Sequence, residues 1–166
     1  MMKWITGICA GLVCGALITL GGMTAMQTHN TYAASSTQVL KFVLHEDGIK
    51  FVVLDKNKDA LGDMLVMVDS LYDAANKKLV GHVNGACIRT QLGKQFECSG
   101  TTEFADNSGQ ISWEGPFKDH EKSGFLTVTG GTQAYENVHG QVEFFASETK
   151  DAIAPIYQVV VTIAKG

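Results

Sequence analysis

Glycine sets the rhythm of this chain. Short runs of alternating apolar and polar residues are cut repeatedly by glycine or a glycine-bearing turn, as at Gly62-Asp63, Asp106-Asn107-Ser108-Gly109, Gly115-Pro116, Gly130-Gly131 and Gly140. Alternation gives a strand one set of side chains per face, and glycine supplies the turn conformations that other residues resist. Helical periodicity is scarce beyond residue 36, whereas β-branched and aromatic residues recur between the turn clusters. The expected strands are Gln38 to His45, Lys50 to Leu54, Asp63 to Leu71, Leu79 to Thr90, Phe96 to Phe104, Gln110 to Gly115, Gly124 to Thr129, Gln141 to Ala146 and Tyr157 to Ile163. Their connections are short, which favours antiparallel neighbours. The simplest outcome is all-β: an up-and-down antiparallel meander closed into an eight-stranded barrel.

Residues 1–33 read as a signal peptide. Lys3 gives a positive start, Trp4 to Leu20 is apolar apart from Thr6 and Thr19, and Thr31 and Ala33 offer small residues for cleavage after Ala33. An uncleaved N-terminal membrane anchor is the competing reading, because the uncharged stretch reaches Thr28 and a span needs about 20 apolar residues. Either way the domain is exported, secreted or periplasmic, and once the leader is cleaved no membrane partner is expected. Residues 34–166 then make one domain, the common size for a single core. The chain carries 13 Lys plus Arg against 17 Asp plus Glu, and every acid lies past the leader. No basic stripe accompanies this mildly acidic balance, so nucleic acid is not an expected partner.

Cys87 and Cys98 are the two cysteines beyond the leader. An even count in an oxidising compartment suggests a pair. With Leu92-Gly93 as a two-residue hairpin turn, Gln91 faces Lys94 and Cys87 falls opposite Cys98, within the reach of a cross-strand disulfide. Alternation also groups Tyr157, Val159, Val161 and Ile163 on one face of the last strand, and Ile111 with Trp113 on one face of an earlier one. Which face is the lumen stays open, and a barrel of this size is either filled by side chains or just wide enough for one small ligand.

Between Gly62 and Val142 the chain resembles the allene oxide cyclases and, more distantly, the dirigent proteins. The resemblance is carried by Gly62-Asp63, Leu71-Tyr72-Asp73, Lys77-Lys78, Gly81, Gly85-Ala86-Cys87, Gly109-Gln110-Ile111-Ser112, Gly115-Pro116, Leu126 to Gly131 and Gly140-Gln141-Val142, all in family order. It implies an eight-stranded barrel around an apolar tunnel, a small hydrophobic ligand as partner, and a homotrimer. It also implies cyclase or isomerase chemistry by confinement, with a polar point against a developing oxyanion and a carboxylate that spreads positive charge. Asp69 occupies the place of the family's asparagine ahead of the Leu-Tyr pair, which makes it the candidate catalytic residue. The family's first-strand Glu-x-Asn is missing, and no Ser-Pro stands between that strand and Gly62. Authentic allene oxide cyclase activity is therefore not expected. A non-catalytic barrel with a packed lumen, acting through its surface, is the alternative.

Other residue groups read as ordinary. Glu46 and Asp47, beside Gly48, read as solvated turn residues, and Gly130-Gly131 as a turn. Glu114 could pair with Asp69 across one barrel. His29, His45, His82, His120 and His139 show no metal-ligand spacing, and neither a metal nor an organic cofactor is expected.

Overall fold

In a computed structural model, the described residues are 36–56, 58–147 and 156–166. The expected signal peptide, its expected cleavage after Ala33, and His29 lie outside them. Nine strands form: β1 (Thr37–His45), β2 (Lys50–Val52), β3 (Met64–Asp73), β4 (Leu79–Gln91), β5 (Gln95–Phe104), β6 (Gln110–Lys118), β7 (Ser123–Gly131), β8 (Val138–Ser147) and β9 (Ile156–Lys165). All neighbours are antiparallel, in the order β1-β9-β8-β7-β6-β5-β4-β3-β2, and β1 also pairs with β3. That last pairing closes the sheet. The single short helical element among the described residues is the 3-10 turn Gln133–Tyr135.

Nine strands fill eight places because β1 and β2 share one. β1 pairs with the second half of β3, as in Phe42 with Asp73, and β2 pairs with the first half, as in Lys50 with Val66. The chain runs on in one direction from β1 to β2, with the register offset by one residue. Glu46-Asp47-Gly48 is thus a bulge in the first barrel strand, and the expected turn is corrected. Its polar groups are met from β3: Val68 N–H donates to the Gly48 carbonyl (3.2 Å), and Ser70 N–H donates to the Asp47 carboxylate (3.1 Å). A Cβ on Gly48 would collide with the Val68 carbonyl oxygen, so the bulge requires glycine here.

Two other expected boundaries move for similar reasons. Gly130-Gly131 lies inside β7, where the register against β6 shifts between Ser112 and Trp113. β6 runs through Gly115-Pro116 to Lys118. Pro116 stands opposite Glu97 of β5, beyond the point where the ladder to β7 ends at Glu114, so its missing N–H breaks no rung on that side.

The closed end of the barrel is packed. Ile111, Val128, Val138 and Ile163 are buried there, and the Phe104 ring lies 4.8 Å from that of Tyr135 and 5.7 Å from that of Phe42. Above this plug Trp113 reaches across the lumen over Gly85 and Gly100, which stand opposite each other in β4 and β5. A Cβ on Gly100 would lie 2.6 Å from the Trp113 ring. At this level glycine is therefore the complement of an indole.

Cys87 and Cys98 form a disulfide between directly opposed positions of β4 and β5. The turn between the strands differs from the expected one: Gln91 pairs with Gln95, and Gly93 adopts φ +61°. A bulge between Arg89 and Gln91 absorbs the extra residue and restores the cysteine register. Closing so short a loop should stabilise the fold by roughly 2 to 3 kcal/mol. Reductant should lower the denaturant midpoint accordingly, and peptide mapping without reductant should find Cys87 and Cys98 unalkylated. Free alkylation of both would remove the pairing.

Candidate functional site

The half of the lumen opposite the plug is not filled. It holds a partly open cavity in which the centres of water-sized spheres sweep about 90 Å³, against the roughly 10–15 Å³ one water needs. Strand alternation determines the wall. Tyr157, Val159 and Val161 of β9 face inward, as do Trp113 of β6 and Met67, Asp69 and Leu71 of β3. The face left open by the sequence is thereby settled: the expected aliphatic-aromatic face of β9 is the lumen face. Cys98 contributes to the wall as half of the disulfide.

The polar side chains in this wall are Glu46, Asp69, Tyr157 and Thr102. Glu46 was expected in solvent and is instead a lumen residue. Phe42 and Leu44 point inward from β1, and because the chain runs on into the bulge instead of reversing, strand alternation puts Glu46 on the same face. Its carboxyl hydrogen-bonds with the Tyr157 phenol. Burial, reinforced by the nearby Asp69 charge, pushes the Glu46 pKa up to about 7 despite that hydrogen bond. Burial and the Glu46 charge push the Tyr157 phenol up to about 12, so it keeps its proton at neutral pH.

Asp69 is 1% exposed and stands against the bulge. Its Oδ1 accepts from Gly48 N–H at 3.2 Å, filling the gap the bulge leaves in the ladder. Its Oδ2 is buried and has no hydrogen-bond donor among the described residues. Burial raises its pKa, opposed by the Gly48 hydrogen bond. The suggested partnership with Glu114 does not form: Glu114 is exposed and points away from the lumen, so the carboxyl that meets Asp69 is Glu46.

Arg89, at this end of the barrel, does not line the cavity. Arg89 pairs through Nε with Asp59 (2.9 Å) and through Nη1 with Asp119 (2.6 Å), and its guanidinium lies over the Phe96 ring. Asp63, expected only as the first residue of a strand, organises the adjoining loop. Its two carboxylate oxygens accept from Leu54 N–H (2.7 Å) and Ala60 N–H (3.0 Å), which hold its pKa below the ordinary range. His45 bonds through Nε2 to Asn76 at 2.8 Å and lies against Tyr72, while His82, His120 and His139 are exposed.

The described residues thus form a closed antiparallel barrel with a largely apolar cavity and a carboxyl-phenol cluster in its wall. The family model for allene oxide cyclase matches residues 43–147, and the chain belongs to that family. Solved structures share the fold. The pterocarpan synthase dirigent protein PsPTS1 aligns with TM-score 0.66 at 20% identity, covering 78% of this chain and 96% of that one. A pyocyanin demethylase aligns at 0.63 and 20%, covering 76% and 99%. AbnU, an exo-specific intermolecular Diels-Alderase, aligns at 0.61 and 15%, covering 79% and 98%. At these identities the likeness is one of backbone architecture.

The raised Glu46 pKa has a measurable cost. An unfolded chain releases this proton near the ordinary 4.5, whereas the folded state holds it to about 7, so the folded state binds more protons in that window. The contribution of Glu46 to stability therefore falls as pH rises from about 4.5 to 7 and is flat above. Glu46→Gln should gain Tm relative to the parent across this window and match it near pH 4. Parallel Tm curves would place Glu46 in solvent.

Proposed function

We propose that the barrel holds one small hydrophobic molecule in its lumen and acts on it as a cyclase or isomerase, chiefly by confinement. The observation that carries this reading is an apolar cavity whose polar wall groups gather around Glu46, Asp69 and Tyr157. Confinement reduces the number of shapes a flexible ligand can adopt, and a preset shape removes much of the entropic part of a ring-closing barrier. Near neutral pH Glu46 is poised between its two protonation states, so it can give a proton to a ligand oxygen or take one back. The Tyr157 hydroxyl stays protonated and can donate to an oxygen on which negative charge develops.

The resemblance called for a lumen carboxylate from the first strand, and in this reading Glu46 meets that need from a different position. Asp69 keeps its candidate role as the second carboxyl of the cluster. The AbnU name, an intermolecular Diels-Alderase, supports the idea that such a barrel can steer ring formation.

Export belongs to the same proposal. A leader over residues 1–33, cleaved after Ala33, would deliver the barrel to an oxidising compartment, where the Cys87–Cys98 pair is stable. The homotrimer is likewise a proposal, supported by the exposed apolar residues Val52, Val66, Val68 and Ile88 along β2 to β4.

Nile red, a neutral apolar dye, should bind the purified full chain saturably at one site. Val142→Phe, which places a ring in the cavity wall, should weaken that binding tenfold or more while leaving the circular dichroism of the sheet intact. Extraction followed by mass spectrometry should recover an apolar compound from the parent and less of it from the variant. Dye binding indifferent to Val142→Phe would move the ligand out of the lumen.

A further inference from the structure

The chemistry of the cavity wall restricts the ligand more tightly than "hydrophobic". Among the described residues, both charged residues that line it, Glu46 and Asp69, are acids, and no Lys, Arg or His among the described residues lines it. Arg89, at this end of the barrel, is already engaged by Asp59, Asp119 and the Phe96 ring. A carboxylate or phosphate drawn into the cavity would leave water beside two acids with no cation among the described residues to balance it, which opposes binding.

Three observations point the other way. Asp69 lines the cavity and is 1% exposed, and its covered Oδ2 has no donor among the described residues, so a donor supplied by the ligand would complete it after a small turn of the carboxyl. The remaining wall is rich in aromatic faces. Phe117 and Phe144 stack at 5.4 Å between centroids, Tyr157 meets Phe144 edge-on at 6.1 Å, and Trp113 lies across the floor. Such faces attract flat rings and positive charge alike. Finally, two neighbouring carboxyls without a cation repel each other, and a ligand cation between them would remove that repulsion.

We propose that the lumen selects a planar aromatic ligand bearing a basic nitrogen, with the N–H directed to Asp69 Oδ2 and Glu46 and the rings among Trp113, Phe117 and Phe144. This inference rests on the lumen-binding reading above and adds the charge and shape of the ligand. The same wall disfavours an anionic group placed inside the lumen.

Three bicyclic probes of matched size separate the cases: 4-aminoquinoline as the cation, naphthalene as the neutral hydrocarbon and 2-naphthoate as the anion. Calorimetric titration of the purified full chain at pH 7.5 should give 4-aminoquinoline at least tenfold tighter than naphthalene, and 2-naphthoate no measurable binding. Asp69→Asn should reduce the cation to the affinity of naphthalene while naphthalene itself is unchanged. Glu46→Gln provides the same comparison should Asp69→Asn fail to fold, and should at least halve the cation's advantage. Naphthalene or 2-naphthoate binding as tightly as 4-aminoquinoline would overturn the ligand class and leave the lumen reading intact. Failure of all three probes, together with loss of saturable Nile red binding, would overturn both.

Discussion

The barrel depends on how β1 and β2 meet β3. A sheet closes only if its first strand can pair on both sides, and here one strand position is shared by two segments offset by a single residue. The offset leaves unpaired backbone around Asp47 and Gly48. Carboxylates fill the vacancy, Asp69 taking the Gly48 N–H and Asp47 taking the Ser70 N–H. The Gly48 bond is part-buried and the Ser70 bond exposed, so the first contributes more to the seam than the second. Because the chain runs on through the bulge instead of turning back, Glu46 keeps the inward face of Phe42 and Leu44. Closure of the fold and assembly of the acidic cluster are one structural event.

The lumen above the plug remains open because of a second trade between large and small. Gly85 and Gly100 give up their side chains so that the indole of Trp113 can lie across the barrel. One large flat residue then does the filling that several aliphatic side chains would otherwise do. Below it Ile111, Val128 and Ile163 pack as an ordinary core, and above it the walls stand apart. Filled and open lumens, alternatives for a barrel of this size, coexist here in two halves of one molecule.

What the sequence made legible follows from distance along the chain. The cysteine pairing could be read because hairpin partners are neighbours in sequence, and it survived a misjudged turn because the bulge after Arg89 compensated for it. The inward face of β9 was visible as a grouping, since alternation is local. Glu46 was not. Asp and Gly beside it suit a reversing turn and a bulge equally well, and the difference lies in partners near Val68 to Ser70, some twenty residues away. Gly130-Gly131 misled in the same manner, since its bulge is defined by Ser112 and Trp113 on another strand. Asp69 stood out through its place beside Leu71-Tyr72, yet nothing local revealed that one of its oxygens is consumed by the seam while the other is left over.

The aromatic plug at Phe104 and Tyr135 makes the lumen a cul-de-sac. Whatever enters must back out the way it came, past Glu46 and Tyr157, so occupancy by one guest bars the next. Were the proposed cyclase or isomerase chemistry to run in such a vessel, departure would pace it, and a tightly held product would act as its own stopper.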